Sequence, residues 1–140
     1  MRVLTLLAGT GCLLVGGVFF AFSGFVLPAL ARLPGERGAE AMRSVNALAV
    51  RAPLLVALFA TAAACAALGV LAVRQAQPLA VAGCGAYLLG VLAVTALVHV
   101  PLNERLAAAG VPFERYVARW GRWNHVRTCA SVCAGVLVLV

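Results

Sequence analysis

The chain is divided by long stretches that contain no charged residue. Three such runs cover residues 3–31, 52–73 and 75–103. A membrane-spanning helix needs about 20 mostly apolar residues, so each run is long enough to cross a bilayer. The last run, 126–140, is apolar apart from Arg127 but is too short alone, so a fourth helix has to begin near Arg119 or earlier.

These runs predict an all-α fold, a four-helix transmembrane bundle made of one membrane domain over residues 1–140. The spans are expected at about residues 3–31, 53–73, 79–100 and 117–140. Loop 1, at about residues 32–51, connects the first two spans, and loop 3, at about residues 101–121, connects the last two. In loop 1, Met42, Val45 and Ala49 recur near a helical period, which predicts a short interfacial helix. Membrane β-strands would alternate over about 10 residues, and the sequence shows no such alternation.

The composition excludes two classes of protein. Hydrophobic residues make up 64% of the chain and charged residues 11%, whereas a soluble domain carries roughly 25% charged residues. So few charges cannot cover the surface of a soluble protein, and the high hydrophobicity excludes a disordered chain. We therefore expect an integral membrane protein that has the lipid bilayer as its main partner.

The charges lie mostly on one side of the predicted bundle. They are 11 arginines and four glutamates, with no lysine or aspartate, for a net charge of +7. Eight arginines lie in loops 1 and 3 or at the start of the fourth helix: Arg32, Arg37, Arg43, Arg51, Arg105, Arg115, Arg119 and Arg122. The positive-inside rule therefore predicts that loops 1 and 3 are cytoplasmic. The expected location is a bacterial cytoplasmic membrane. Because these arginines adjoin predicted spans, they indicate contact with anionic lipid and no nucleic acid partner.

Polar side chains near membrane depth collect at the end of the bundle that carries loops 1 and 3. Such residues are informative because burying them in lipid is costly. The third span ends with His99 and Asn103, which share a face if the helix continues past Pro101. The fourth helix carries one stripe of aromatic and polar residues, Trp120, Trp123, Asn124 and Arg127.

Arg127 is the polar residue that most needs a partner. About 13 residues follow it, so a position facing lipid would cost several kcal/mol. The chain has no aspartate, and the nearest glutamates, Glu104 and Glu114, belong to loop 3. We therefore expect Arg127 to face the interior, where Asn103, Asn124, a loop 3 glutamate or a ligand oxygen would accept its hydrogen bonds.

Four segments resemble motifs of the DUF1772, or anthrone-oxygenase-like, integral membrane proteins. They are FFAFSGFVLPAL at residues 19–30, GAEAMRSVN at 38–46, VPLN at 100–103 with Leu106, and Trp120 with WNHVRT at 123–128. The resemblance implies a four-helix membrane bundle. It also implies an activity of some family members in polyketide biosynthesis, the oxidation of an anthrone to an anthraquinone with dioxygen and without a classical flavin or haem.

The resemblance and the residues together predict a membrane monooxygenase, an oxidoreductase that acts on a hydrophobic, flat aromatic molecule of anthrone type. The base would be His99 or His125, and the catalytic donors to the substrate oxyanion would be Arg127, Asn103 and Asn124. Five residues would contact the substrate: Trp120, Trp123, Phe22, Ser23 and Asn46. No cofactor is expected, and dioxygen is the co-substrate.

Two other functions remain open at this point. His99 and His125 could ligate a metal or a haem in a membrane oxidoreductase, because imidazole suits copper, iron and haem. The polar end could instead bind a lipid headgroup, a quinone or a protein in a non-enzymatic binding or scaffold subunit. Glycines in the first and third spans would also allow an oligomer.

Overall fold

The computed structural model describes residues 1–51 and 53–140. Within these ranges the chain forms five helices and no strand, which confirms the predicted all-α class. The helices are α1 (Arg2–Ala31), α2 (Arg37–Ala49), α3 (Pro53–Arg74), α4 (Pro78–Ala107) and α5 (Phe113–Leu139).

Three of the helices, α1, α3 and α4, are long and apolar enough to cross a membrane. Their composition agrees with the predicted integral membrane protein. Helix α5 has 27 residues, a length of about 40 Å at 1.5 Å per residue. It is less apolar because it contains four arginines, Arg115, Arg119, Arg122 and Arg127. The four-span arrangement therefore stays a prediction.

Helix α5 runs antiparallel to α1 and α4 and packs closely against both. A side-chain carbon built at Gly9 of α1 would meet Leu139 at 2.5 Å, and one at Gly90 of α4 would overlap Ala130. Glycine at these two positions allows the helix backbones to approach each other. The apolar core between α1, α3, α4 and α5 contains the buried residues Val15, Leu68, Tyr87, Val91 and Ala134, among others.

Two of the long helices contain wider π-helical turns, which lie in the middle of the helix or toward the end of the bundle that carries α2. In α1 the turn covers Phe22–Val26, and in α4 two turns cover Leu88–Ala93 and Thr95–His99. A π-turn adds about one residue to the α-helical repeat, which changes the direction of the side chains around it. Helix α4 continues through Pro101 to Ala107, so the condition for His99 and Asn103 to share a helix is met.

The predicted helix in loop 1 is present as α2, which packs across the same end of the bundle. Its buried residues are Gly38, Ala39 and Met42. Ala39 and Met42 join a second apolar cluster with residues of α1, α4 and α5: Leu27, Leu102, Leu106, Tyr116 and Trp120. Helix α2 is therefore part of the packed structure and covers the polar end of the bundle.

A substitution at Gly38 tests this packing of α2. A side-chain carbon there would overlap the carbonyl oxygen of Leu30 and would lie 2.6 Å from Phe113. Because the Leu30 oxygen is backbone, it cannot rotate away, and we expect Gly38→Ala to lower the free energy of unfolding by about 1–3 kcal/mol. The midpoint of thermal unfolding in lipid nanodiscs measures this effect.

The matched control is Gly17→Ala in α1, where an added carbon meets no atom of the described residues within 4 Å. The helix propensity of alanine exceeds that of glycine by up to about 1 kcal/mol, so this control should keep or raise the unfolding midpoint. Equal midpoints for the two variants would contradict the close approach of α2 to α1.

Candidate functional site

A cavity of about 150 Å³ lies at the α2 end of the bundle, and all five helices contribute to its wall. Most of the wall is apolar or aromatic, including Phe19 and Phe22 of α1 and Leu54 and Leu58 of α3. Five polar side chains also reach it: Asn46, Thr95, His99, Asn103 and Arg127. An apolar pocket with a few convergent polar groups is the usual form of a site for a small organic ligand.

Arg127 of α5 is buried beside the cavity, with 5% of its surface exposed. Its Nη2 donates to Asn124 Oδ1 at 2.6 Å and its Nη1 to Thr95 Oγ1 at 3.1 Å. The Nε atom is buried and has no partner among the described residues. Its Cζ lies 4.1 Å from the ring centre of Phe19 and 5.3 Å from that of Trp120, within the range of cation–π attraction.

No carboxylate neutralises this guanidinium in the described part of the chain. All four glutamates are exposed: Glu36, Glu40, Glu104 and Glu114. Of the acceptors that the sequence left open, the structure selects Asn124 and not a loop 3 glutamate. Arg127 is therefore a buried cation held only by neutral groups.

Asn124 holds Arg127 and does not line the cavity. It is fully buried, and its Nδ2 donates to the Phe19 carbonyl at 2.7 Å and to Ser23 Oγ at 2.6 Å. These donations leave Oδ1 as the acceptor for Arg127. The Asn124 amide thus joins α1 to α5 and fixes the position of the guanidinium.

His99 of α4 lies in the cavity wall with 2% of its surface exposed. Its ring meets the ring of Trp120 edge-on, with the ring centres 4.9 Å apart and the planes at 83°. Neither Nδ1 nor Nε2 has a hydrogen-bond partner in the described ranges. Buried polar atoms nearly always have partners, so a histidine with both nitrogens free is a candidate for contact with a ligand.

Asn103 lies four residues after His99 and also lines the cavity. Its Oδ1 accepts hydrogen bonds from Tyr116 Oη at 2.8 Å and from Trp120 Nε1 at 3.2 Å. Tyr116 Oη in turn accepts a hydrogen bond from Asn46 Nδ2 of α2 at 3.3 Å. Because its oxygen takes both hydrogen bonds, the amide nitrogen of Asn103 is the end available to a ligand.

Two residues of this network were not singled out in the sequence. Tyr116 precedes Trp120 by four positions, and Thr95 precedes His99 by four. Each extends a helical stripe that the sequence already indicated, so the spacing alone could have found them. A hydroxyl group carries no formal charge, however, so neither Tyr116 nor Thr95 stands out in the sequence as a charged residue does.

Four predicted site residues lie outside the cavity: Asn124 and Ser23, which are joined by a hydrogen bond, and His125 and Trp123. His125 is exposed, and Trp123 is half-buried and is not part of the cavity wall. On a helix, residue 125 lies about 100° from Asn124, and residue 123 lies at the edge of the buried stripe of α5. The structure therefore brings His99, Asn103, Trp120, Phe22 and Asn46 to the cavity with Arg127, and leaves these four residues out.

The residues around the cavity do not form a set of metal ligands. Over residues 1–51 and 53–140, no group of three or more His, Cys, Asp and Glu side chains could hold a metal ion. Protein metal sites usually supply three or four ligands, and His99 is the one side chain of these types in the cavity wall. The pair His99 and His125 is thus not brought together at this cavity.

The sequence model of a protein family described as Anthrone oxygenase matches residues 41–137, more than two thirds of the chain. The matched region contains the His99, Asn103, Tyr116, Trp120 and Arg127 positions of the cavity network. Comparison with curated proteins and with solved structures gives no match.

Proposed function

The chain belongs to the anthrone oxygenase family, and we propose that it is a membrane-embedded monooxygenase that oxidises a flat, enolisable aromatic substrate of anthrone type with dioxygen. One observation supports this proposal most strongly. The unpartnered imidazole of His99 and the buried cation Arg127 line the same apolar cavity. A base and a positive charge in a site of low polarity suit the removal of a proton from carbon.

The proposed reaction begins at the CH₂ group that lies opposite the ketone of an anthrone. Loss of one proton gives a carbanion that is delocalised onto the ketone oxygen as an enolate. This anion transfers one electron to dioxygen, and the resulting carbon radical and superoxide combine to form a C–O bond. Protonation gives a hydroperoxide, which loses water as the remaining proton leaves the carbon and the O–O bond breaks. Anthrone and dioxygen thus yield anthraquinone and one water.

The residues of the cavity have distinct roles in this scheme. His99 takes the first proton and returns it to the peroxide oxygen. Arg127 and the Asn103 amide donate hydrogen bonds to the enolate oxygen, where negative charge develops. The rings of Phe22 and Trp120, with centres 5.8 Å apart, provide aromatic surface for a flat substrate. The bilayer concentrates both an apolar substrate and dioxygen near the cavity.

We also propose that α5 is the fourth span and that loops 1 and 3 face the cytoplasm. Helix α5 supports this because Arg127 and Asn124 are buried against α1 and α4 and do not face outwards. Large apolar side chains on the outside of the other long helices suit contact with lipid, among them Leu14, Phe20, Val56 and Leu97. The eight arginines at the α2 end favour the cytoplasmic side for that end.

Oxygen labelling tests the proposed reaction directly. We expect the purified protein in nanodiscs to convert an anthrone to its anthraquinone under ¹⁸O₂, with one labelled oxygen in the quinone and one in water. The rate of spontaneous oxidation, measured with empty nanodiscs, has to be subtracted from the rate with the protein. Several anthrone-type compounds that differ in ring substituents are needed as substrates. The proposal is contradicted if none of them is oxidised faster than that background.

A further inference from the structure

The cavity contains one positive charge, that of Arg127, to which residues 1–51 and 53–140 bring no counter-charge. Arg127 is almost fully buried, its two hydrogen-bond partners Thr95 and Asn124 are neutral, and every glutamate in the chain is exposed. Burying an unpaired cation is costly, and neutral hydrogen bonds offset the cost only in part. A negative charge placed in the cavity would therefore gain a large attraction to Arg127.

The free polar atoms around this charge include two hydrogen-bond donors. Arg127 Nε is buried and has no partner in the described ranges, and the Asn103 amide nitrogen is left free by the two hydrogen bonds to its oxygen. The unpartnered His99 lies in the same wall. A guest that accepts hydrogen bonds and carries one negative charge would satisfy these atoms.

The surroundings of Arg127 favour an anion with spread charge. Its guanidinium lies within cation–π distance of the rings of Phe19 and Trp120, and most of the cavity wall is apolar. An anion has to lose water on entering such a site, and this cost is smallest for large, weakly hydrated ions. One guanidinium also balances a single negative charge, so a divalent anion would be left partly uncompensated.

We propose that the cavity is a binding site for one weakly hydrated monovalent anion, held by Arg127 and the free amide of Asn103. Thiocyanate and iodide have the expected chemistry, and fluoride and sulfate do not. The site goes beyond the proposed oxygenase reaction, since it depends on the charge of the resting cavity and on no aromatic substrate. The same preference for spread charge would favour a delocalised enolate over a localised one.

Thiocyanate is a suitable probe because its C≡N stretching band reports its surroundings. We expect the full chain in nanodiscs of zwitterionic lipid to show one saturable thiocyanate band per protein, displaced from that of the free ion. Iodide should compete for the site, whereas fluoride and sulfate at equal ionic strength should not. In Arg127→Met the affinity should fall by about 10–100-fold, as expected for the loss of a charge-assisted hydrogen bond.

The matched control is Arg122→Gln, which removes an exposed arginine of the same helix and should leave thiocyanate binding unchanged. If Arg127→Met does not fold, Val45→Trp decides the question, because it fills the cavity from α2 while Arg127 remains, and it should also abolish the band. The proposal would be overturned if either variant retained thiocyanate binding or if the unmodified protein gave no saturable band. It would also be overturned if fluoride bound as tightly as thiocyanate. The assay contains no anthrone, so its failure is distinct from a failure of the oxygenase reaction.

Discussion

Replacing His99 with alanine should reduce the rate of anthrone oxidation by about 10²–10⁴-fold, the usual contribution of a general base. His99 is the one histidine in the cavity wall, and both of its ring nitrogens are free to meet a substrate. Because the imidazole has no hydrogen-bond partner among the described residues, its removal breaks none of the bonds that hold the helices. The variant should therefore fold, and the loss should appear in kcat.

The measurement has two parts. Formation of the anthraquinone gives the overall rate, and exchange of the substrate CH₂ protons with deuterated water under nitrogen isolates the proton-removal step. We expect His99→Ala to lose both activities. The matched control, His125→Ala, changes an exposed residue outside the cavity and should leave both within about twofold. Normal exchange in His99→Ala would exclude His99 as the base, and equal losses in both variants would show that the histidines act indirectly.

Replacing Arg127 with methionine should lower kcat by about 10²–10³-fold, the loss expected when one donor to a developing oxyanion is removed. Methionine keeps a long side chain against Phe19 and Trp120 but carries no charge. The enolate that forms on proton removal would then lack its cation. Substrate binding, which depends mostly on apolar and aromatic contacts, should change less than kcat.

The free energy of unfolding of Arg127→Met distinguishes a catalytic role of Arg127 from a structural one. The substitution removes the hydrogen bonds to Thr95 and Asn124 but also removes a buried, uncompensated charge. These opposing effects should leave the free energy of unfolding within about 1–2 kcal/mol of the unmodified protein. Arg122→Met, at an exposed position, should change neither kcat nor stability. A large loss of stability with Arg127→Met would assign the guanidinium a structural role instead.

The all-helical fold and the membrane character of this protein could be predicted from the sequence because they depend on local properties. Charge-free runs of 22 to 29 residues are too long and too apolar for ordinary loops or strands. The motifs at residues 38–46, 100–106 and 120–128 indicated the family that the comparison then showed. Helical spacing also placed Asn124 and Arg127 on one face of α5, where both are buried.

Which side chains face the cavity was less predictable, because this depends on how each helix is rotated against its neighbours. His99 and His125 were equal candidates for the base, yet only His99 faces the cavity. His125 lies about 100° around α5 from the buried Asn124 and is exposed, whereas His99 of α4 packs against Trp120 in the cavity wall.

The sequence by itself determined which kinds of residue collect at one end of the bundle, because that property follows from their positions along the spans. It also showed that Arg127 lacks an aspartate partner, since the chain contains none. Only the tertiary structure decided that Asn124 and Thr95 hold this arginine, that Tyr116 orients Asn103, and that α2 forms part of the cavity wall. These hydrogen bonds join residues from 3 to 32 positions apart along the chain. Most of them form only when separate helices pack at defined rotations, which periodicity within one helix cannot specify.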